Sequence, residues 1–248
     1  MITIKTPEEI KIMGESGKIL AKVMHQLEKM TKPGVSTIEL DRAAEALILS
    51  FGAKPAFKNY NKFPYSLCAS ANEDVVHGYP SDYKLKDGDI IGLDLGVVYK
   101  GYYSDMASTI AVGKVSFKAK KLIADTKKSL IIGIKKAKIG NTIGDIGNAI
   151  QEYVEPKGYG IIKDLCGHGI GKELHEDPQI PNYGKRGEGE SLIEGMVICI
   201  EPMLSMGDWR LKRSKDGYGY ATKDGSISAH FEHTIAITKS GPEILTKN

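Results

Sequence analysis

Asp87-Gly-Asp-Ile-Ile-Gly-Leu-Asp94 is matched further along the chain by Glu194-Gly-Met-Val-Ile-Cys-Ile-Glu201, at an offset of 107 residues. Each stretch is an acidic-glycine turn followed by an apolar run that closes on a carboxylate, which is the composition of a buried strand. A second block keeps almost the same spacing. Lys32-Pro-Gly-Val-Ser-Thr-Ile-Glu-Leu40 lies beside Lys138-Ile-Gly-Asn-Thr-Ile-Gly-Asp-Ile146 at an offset of 106, and Thr109-Ile-Ala-Val112 resembles Thr234-Ile-Ala-Ile237. Two blocks sharing nearly one offset point to an internal repeat.

The helical segments fall into the same order twice. Thr6-Pro7-Glu8-Glu9 reads as an N-cap, a proline at the first helical position and a capping-box glutamate. Ile10, Met13, Gly17, Leu20, Val23, Met24 and Leu27 then follow a helical period. A second helix is expected from Ser36 or Thr37 to Phe51-Gly52, a third from Phe117 to Lys138 and a fourth from Thr142 to Lys157-Gly158. Segments suited to sheet follow each helix pair. The expectation is an α+β chain forming a single domain over residues 1–248, with halves at about 6–112 and 116–240. Antiparallel sheet would be covered by helices, and a site at the pseudo-two-fold seam would draw matching residues from both halves.

With 248 residues, 41% of them hydrophobic and 26% charged, the chain has the composition of an ordinary globular protein. Its 34 basic and 31 acidic residues are interspersed and leave a net charge of +3, a mixed surface rather than a nucleic-acid footprint. Acidic residues arrive too early for a signal-peptide core, and no apolar run approaches the roughly 18 residues of a membrane span. Cys68, Cys166 and Cys199 are widely spaced and suggest neither a disulfide framework nor a structural zinc site. A cytoplasmic, reducing setting is expected, without nucleic acid or membrane as partner.

Ile90 to Val98 and Tyr103 to Val112 read as a hairpin around Tyr99-Lys100-Gly101-Tyr102. A tip at Tyr99-Lys100 would set Asp94 directly opposite Asp105, with Cβ atoms about 5 Å apart. Like charges so placed are tolerated only with a cation or a shared proton between them. Glu201 ends one strand of the second half, and Glu232 opens His233-Thr-Ile-Ala-Ile237. Four carboxylates suit two divalent ions about 3.5–4 Å apart. His168 sits in Cys166-Gly-His-Gly-Ile-Gly171, where glycines let backbone approach closely. His175 and His77 are further candidates. His25 and His230 read as surface or packing residues, and His233 should point away from Glu232 in a regular strand.

These segments resemble a known family along nearly the whole chain. Ser70-Ala-Asn-Glu-Asp-Val-Val-His77-Gly, Asp94-Leu-Gly, Ser104-Asp105, Cys166-Gly-His168-Gly-Ile-Gly, His175-Glu-Asp-Pro178, Glu201-Pro202 and Phe231-Glu232-His233-Thr234 are similar to the motifs of type I methionine aminopeptidases of the pita-bread fold. The resemblance implies Asp94, Asp105, His168, Glu201 and Glu232 as metal ligands, with Asp105 and Glu232 bridging two divalent ions. Hard oxygen and nitrogen ligands admit Mn, Fe or Co at least as well as Zn. It also implies Glu201 as proton shuttle, and His77 and His175 as catalytic residues that touch substrate rather than metal. Tyr60, Phe63, Cys68 and Met203 match the substrate pocket, with Phe57, Leu174 and Tyr218 at positions that vary. Tyr218 stands where a larger aromatic is expected.

The implied activity is metal-dependent removal of the initiator methionine from nascent chains whose second residue is small. A monomeric enzyme is expected, with the ribosome as a weak partner. An Xaa-Pro peptidase of the same fold is the nearest rival, although such enzymes carry an additional N-terminal domain. A non-catalytic binding protein would be expected to lose ligands, and a calcium-stabilised domain leaves His168 and His175 unexplained. Cys166 and Cys199 read as strand packing rather than as nucleophiles.

Overall fold

The structure is a computed structural model describing residues 2–247. Four helices appear where the sequence places them: α1 Pro7–Met30, α2 Thr37–Ser50, α3 Phe117–Lys136 and α4 Ile143–Val154, the last continued by a 3₁₀ turn over Glu155–Lys157. Their starts are fixed locally. Thr6 and Glu9 close a capping box on α1, so two backbone N–H groups left over at the helix start find side-chain acceptors. Ser36 with Glu39 and Thr142 with Asp145 do the same for α2 and α4. Gly34 and Gly140, aligned at the 106-residue offset, both adopt a φ of +91°. That is a left-handed turn which glycine enters without a Cβ clash.

Two antiparallel sheets carry the rest of the frame. In one, Ile90–Tyr99 is central, with Tyr102–Ala111 on one edge and Cys68–Ala71 and Lys54–Pro55 on the other. The other runs in the order Gly241–Ile244, His233–Thr238, Val197–Ile200, Gly167–Gly169, Glu176–Ile180. α1 and α2 cover the first sheet, burying Leu20, Val23, Met24, Leu40 and Ile48 against Ile91, Leu93 and Leu95. α3 and α4 cover the second through Leu122, Leu130, Ile134, Ile146 and Ile150. Each such side chain contributes about 1.5–3 kcal/mol when taken from water, so the two helix layers hold the sheets in place. The mixed helix and antiparallel-sheet class matches the expectation.

The hairpin register differs from the sequence reading. Lys100 (φ +50°) and Gly101 (φ +81°) form the turn, and Tyr99 pairs with Tyr102. Positive φ at both central residues is the two-residue turn that follows strand twist, so the tip moves one residue along. Asp94 therefore pairs with Ala107, and Asp105 with Gly96. Because the slip changes the pairing by two residues, both aspartates keep the same face as diagonal neighbours.

The two sheets meet along one seam, where Glu232 donates its backbone N–H to Ala107 O at 3.0 Å. Among the described residues, no helix is long and apolar enough to cross a membrane.

Candidate metal centre

The seam brings carboxylates from both sheets to one point. One ligand atom each from Asp94, Asp105 and Glu232 lie within 4.8 Å of one another, and all three residues are buried. A second group of the same kind joins Glu232 to His168 and Cys199. Glu201 Oε1 stands 3.8 Å from His168 Nε2. The five residues singled out from sequence thus converge, two from the first sheet and three from the second.

Ala107 lies in the middle of this arrangement. Its strand partner is Asp94, its carbonyl binds the N–H of Glu232, and Asp105 is two residues away on the same face. Its side chain, a single methyl group, adds little bulk to the face it shares with Asp94 and Asp105.

Electrostatics favour a cation there. Burial pushes Asp105 up to about 8, with Glu201 adding to the effect, and burial pushes Glu201 up to about 8 as well. Asp94 and Glu232 are driven well above the carboxylate range by burial and then by their acidic neighbours. Asp94 Oδ1 and Glu232 Oε1 are buried without a hydrogen-bond partner among the described residues. Orphaned buried oxygens are costly, and a cation satisfies several at once. The donor set and these orphaned atoms therefore fit divalent metal.

His168 is prepared for ligation. Its Nδ1 lies 2.9 Å from Gly169 O; the Nδ1–H donates there, leaving the Nε2 lone pair toward the carboxylates. Burial lowers its pKa to about 3, which keeps the ring neutral. The flanking glycines are needed for space. A Cβ on Gly167 would meet Cys199 O at 2.2 Å, and one on Gly169 would meet Asp177 O at 2.1 Å. Cys199 contacts Thr234 Oγ1 at 3.7 Å, and burial drives its thiol well up, so it stays protonated and fills space.

A cleft of about 670 Å³ opens onto these residues, lined among others by His77, His175, Glu201, Met203 and His230. His77 takes a φ of +60°, an unusual conformation for a residue with a side chain, and burial lowers its pKa to about 4. His175 Nδ1 lies 2.8 Å from Tyr60 OH. Burial raises the pKa of the phenol, so Tyr60 stays protonated beside the ring.

A smaller chamber of about 120 Å³ branches from the same point, walled by Phe57, Tyr60, Phe63, Cys68, Leu174 and Tyr218. Cys68 pairs with Asp94 across the sheet, so this wall is built directly beside the carboxylates. Phe63, Tyr79 and Tyr218 pack ring to ring at 4.8–5.4 Å. Met203 is the exception among the pocket candidates. It lines the cleft beside His230 rather than the chamber, because its strand pairs with Ser228–His230.

His230 is the residue sequence reasoning passed over. Of the surface or packing roles it is the buried one, but its Nε2 also stands 3.5 Å from Glu201 Oε2, and burial lowers its pKa to about 3. Its position two residues before Glu232 was the available signal, since alternation puts such pairs on one face. Tyr79 carried no comparable signal. His233 turns away as expected and meets Thr246 Oγ1 at 2.9 Å. His25 is exposed on α1.

The model of metallopeptidase family M24 matches residues 11–239. A methionine aminopeptidase of Clostridium acetobutylicum is 50% identical over 247 residues, 99% of each chain, and methionine aminopeptidase 1 of Bacillus subtilis is 48% identical over the full length of both. A crystal structure of methionine aminopeptidase from Thermotoga maritima superposes with a TM-score of 0.98 at 46% identity, covering all of both chains. A prolidase from Pyrococcus furiosus gives 0.80 at 29% identity, with 99% of this chain covering only 65% of that one.

Proposed function

The chain belongs to metallopeptidase family M24, and we propose that it removes the initiator methionine from polypeptides whose second residue is small. It has the pita-bread architecture and is a methionine aminopeptidase, a metal-dependent hydrolase acting on protein N-termini. The observation that carries the reading at residue level is the meeting of Asp94, Asp105 and Glu232, with buried oxygens of Asp94 and Glu232 left for a cation.

In this reading Asp94, Asp105, His168, Glu201 and Glu232 would hold two divalent ions. The donor set admits Mn, Fe, Co or Zn. Bound ions supply a water of lowered pKa and polarise the scissile carbonyl. Glu201 would take a proton from the attacking water and return it to the leaving amine. In the same reading Tyr60 donates to His175 Nδ1, which leaves Nε2–H to donate to the oxygen that gains charge. His77 donates to the substrate backbone. The methionine side chain enters the chamber of Phe57, Tyr60, Phe63, Cys68, Leu174 and Tyr218, where aromatic rings and sulfur suit a thioether. Met203 and His230 face the residue that follows.

Similarity favours this reading over an Xaa-Pro peptidase, since the methionine aminopeptidase superposes at 0.98 with 46% identity and the prolidase at 0.80 with 29%. The two halves are read as a repeat within one domain, supported by their matching capping boxes. A monomer acting in the cytoplasm, with at most weak ribosome contact, completes the proposal. The test is hydrolysis of Met-Ala-Ser and Ala-Pro peptides by metal-loaded protein. Methionine release with no cleavage of Ala-Pro is expected; the reverse preference would reject the assignment.

A further inference from the structure

The segment before α1 reaches into the catalytic region. Lys5 is 6% exposed, and its Nζ lies 2.7 Å from Glu176 Oε2. The same carboxylate oxygen accepts from Thr3 Oγ1. The other oxygen, Oε1, accepts the backbone N–H groups of Lys172 at 2.9 Å and Glu173 at 3.2 Å. Glu176 thus ties both ends of the turn that delivers His175 into the cleft. Lys5 is itself fixed, because its backbone N–H donates to Gly195 O at 2.8 Å, in the turn that starts the strand ending at Glu201. On its other side the turn is pinned by Tyr103 N–H, which donates to Gly171 O at 2.8 Å, two residues before Asp105. Gly171 has no room for a side chain, since a Cβ would stand 2.5 Å from Lys5 Cε and 2.6 Å from Glu176 Oε1.

We propose that the part-buried Lys5–Glu176 ion pair is a positioning device for His175, coupling the N-terminal arm to the placement of the oxyanion donor. The role rests on the methionine aminopeptidase reading for the part His175 plays, and on geometry alone for the clamp. The Glu176 carboxylate is satisfied on both oxygens, by Lys5 on one and by the N–H groups of the very turn it holds on the other. Leu174 is anchored separately by packing among Met13, Phe57 and Phe63, so the clamp bears on His175 rather than on the side-chain chamber. A donor displaced by about 1 Å costs on the order of 100-fold in rate.

The experiment is a double-mutant cycle in metal-loaded full-length protein, crossing Lys5→Met with His175→Ala and reading kcat and KM on Met-Ala-Ser. Lys5→Met alone is expected to lower kcat by roughly 10- to 100-fold, with KM and metal content little changed. Lys5→Arg should recover most of the loss. On the His175→Ala background the same substitution should cost less than about threefold, because the residue it serves is gone. A folded Lys5→Met variant with unaltered kcat, or an equal fractional loss in both backgrounds, overturns the clamp. If Lys5→Met does not fold, Glu176→Gln is read in the same cycle with the same criteria. Histidine-labelled NMR of Lys5→Met and Glu176→Gln gives a readout free of activity. A shift of the His175 ring signals is expected, and unchanged signals in Glu176→Gln would overturn the clamp whatever the substrate proves to be. Failure of the parent protein to release methionine would instead reject the functional reading.

Discussion

Thr109 and Thr234 each bond twice to the backbone of the opposite half. Thr109 Oγ1 donates to His230 O and accepts from His230 N–H, both at 2.8 Å. Thr234 Oγ1 donates to Asp105 O at 2.8 Å and accepts from Asp105 N–H at 2.9 Å. The two segments run antiparallel with Ala107 facing Glu232 at the centre, so these four bonds set how closely carboxylates from different sheets approach. Their symmetry supports reading the chain as a repeat. It also makes His230, not Glu232, the counterpart of Asp105.

Ala107 should be sensitive to added volume. Ala107→Val places two further carbons among Asp94, Asp105 and Glu232 at a fully buried point, with a stability cost of about 1–3 kcal/mol. Divalent-metal affinity, read by titration calorimetry, is expected to fall at least about tenfold, the equivalent of 1.4 kcal/mol. Unchanged affinity would show that the space between the carboxylates is not used.

Glu201→Ala should leave a folded protein that has lost about 10²–10⁴-fold in kcat, the usual contribution of a placed proton shuttle. Circular dichroism checks the fold and methionine release the rate. Near-normal turnover would remove Glu201 from its role.

His168→Ala takes away the one nitrogen among the five proposed ligands, the ring whose Nδ1 bonds Gly169 O. Metal content after dialysis is expected to drop below that of the parent protein, and equal content would count against ligation.

Tyr60→Phe deletes the hydroxyl that lies 2.8 Å from His175 Nδ1 and is proposed to hold its tautomer. Losing one such bond is worth about 1–1.5 kcal/mol, near tenfold in kcat. Assays on Met-Ala-Ser should show that drop with KM changed far less. A KM effect alone would make Tyr60 a wall of the side-chain chamber only.

Chelation should make stability pH-dependent. Asp105 and Glu201 have folded pKa values of about 8, above their ordinary values near 4. A group whose pKa is raised by folding favours the folded state at low pH and loses that advantage as pH rises through its folded value. Metal-free protein should therefore melt progressively lower between about pH 4 and pH 8, and added Mn²⁺ or Co²⁺ should raise Tm most at the alkaline end. A flat Tm across that range without metal would contradict the clustering of carboxyl groups.

Much of this was legible in the chain. Capping boxes at Thr6, Ser36 and Thr142 are written in residues three apart, so the helix starts could be read directly. Strand alternation placed Asp94 and Asp105 on one face, and that parity survived even though the hairpin tip lay one residue further on. The tip was missed because a left-handed Lys100 has no distinctive residue type to announce it.

What the sequence determined by itself is what neighbouring residues settle among themselves: helix limits, faces of strands, and the kinds of ligand offered. Only the tertiary structure decided that Ala107 sits between Asp94 and Glu232, that His230 turns inward to Glu201, and that Lys5 reaches Glu176 across 171 positions of chain. Those contacts join segments whose approach is set by sheet pairing and helix packing, and no local pattern records which distant backbone will lie alongside.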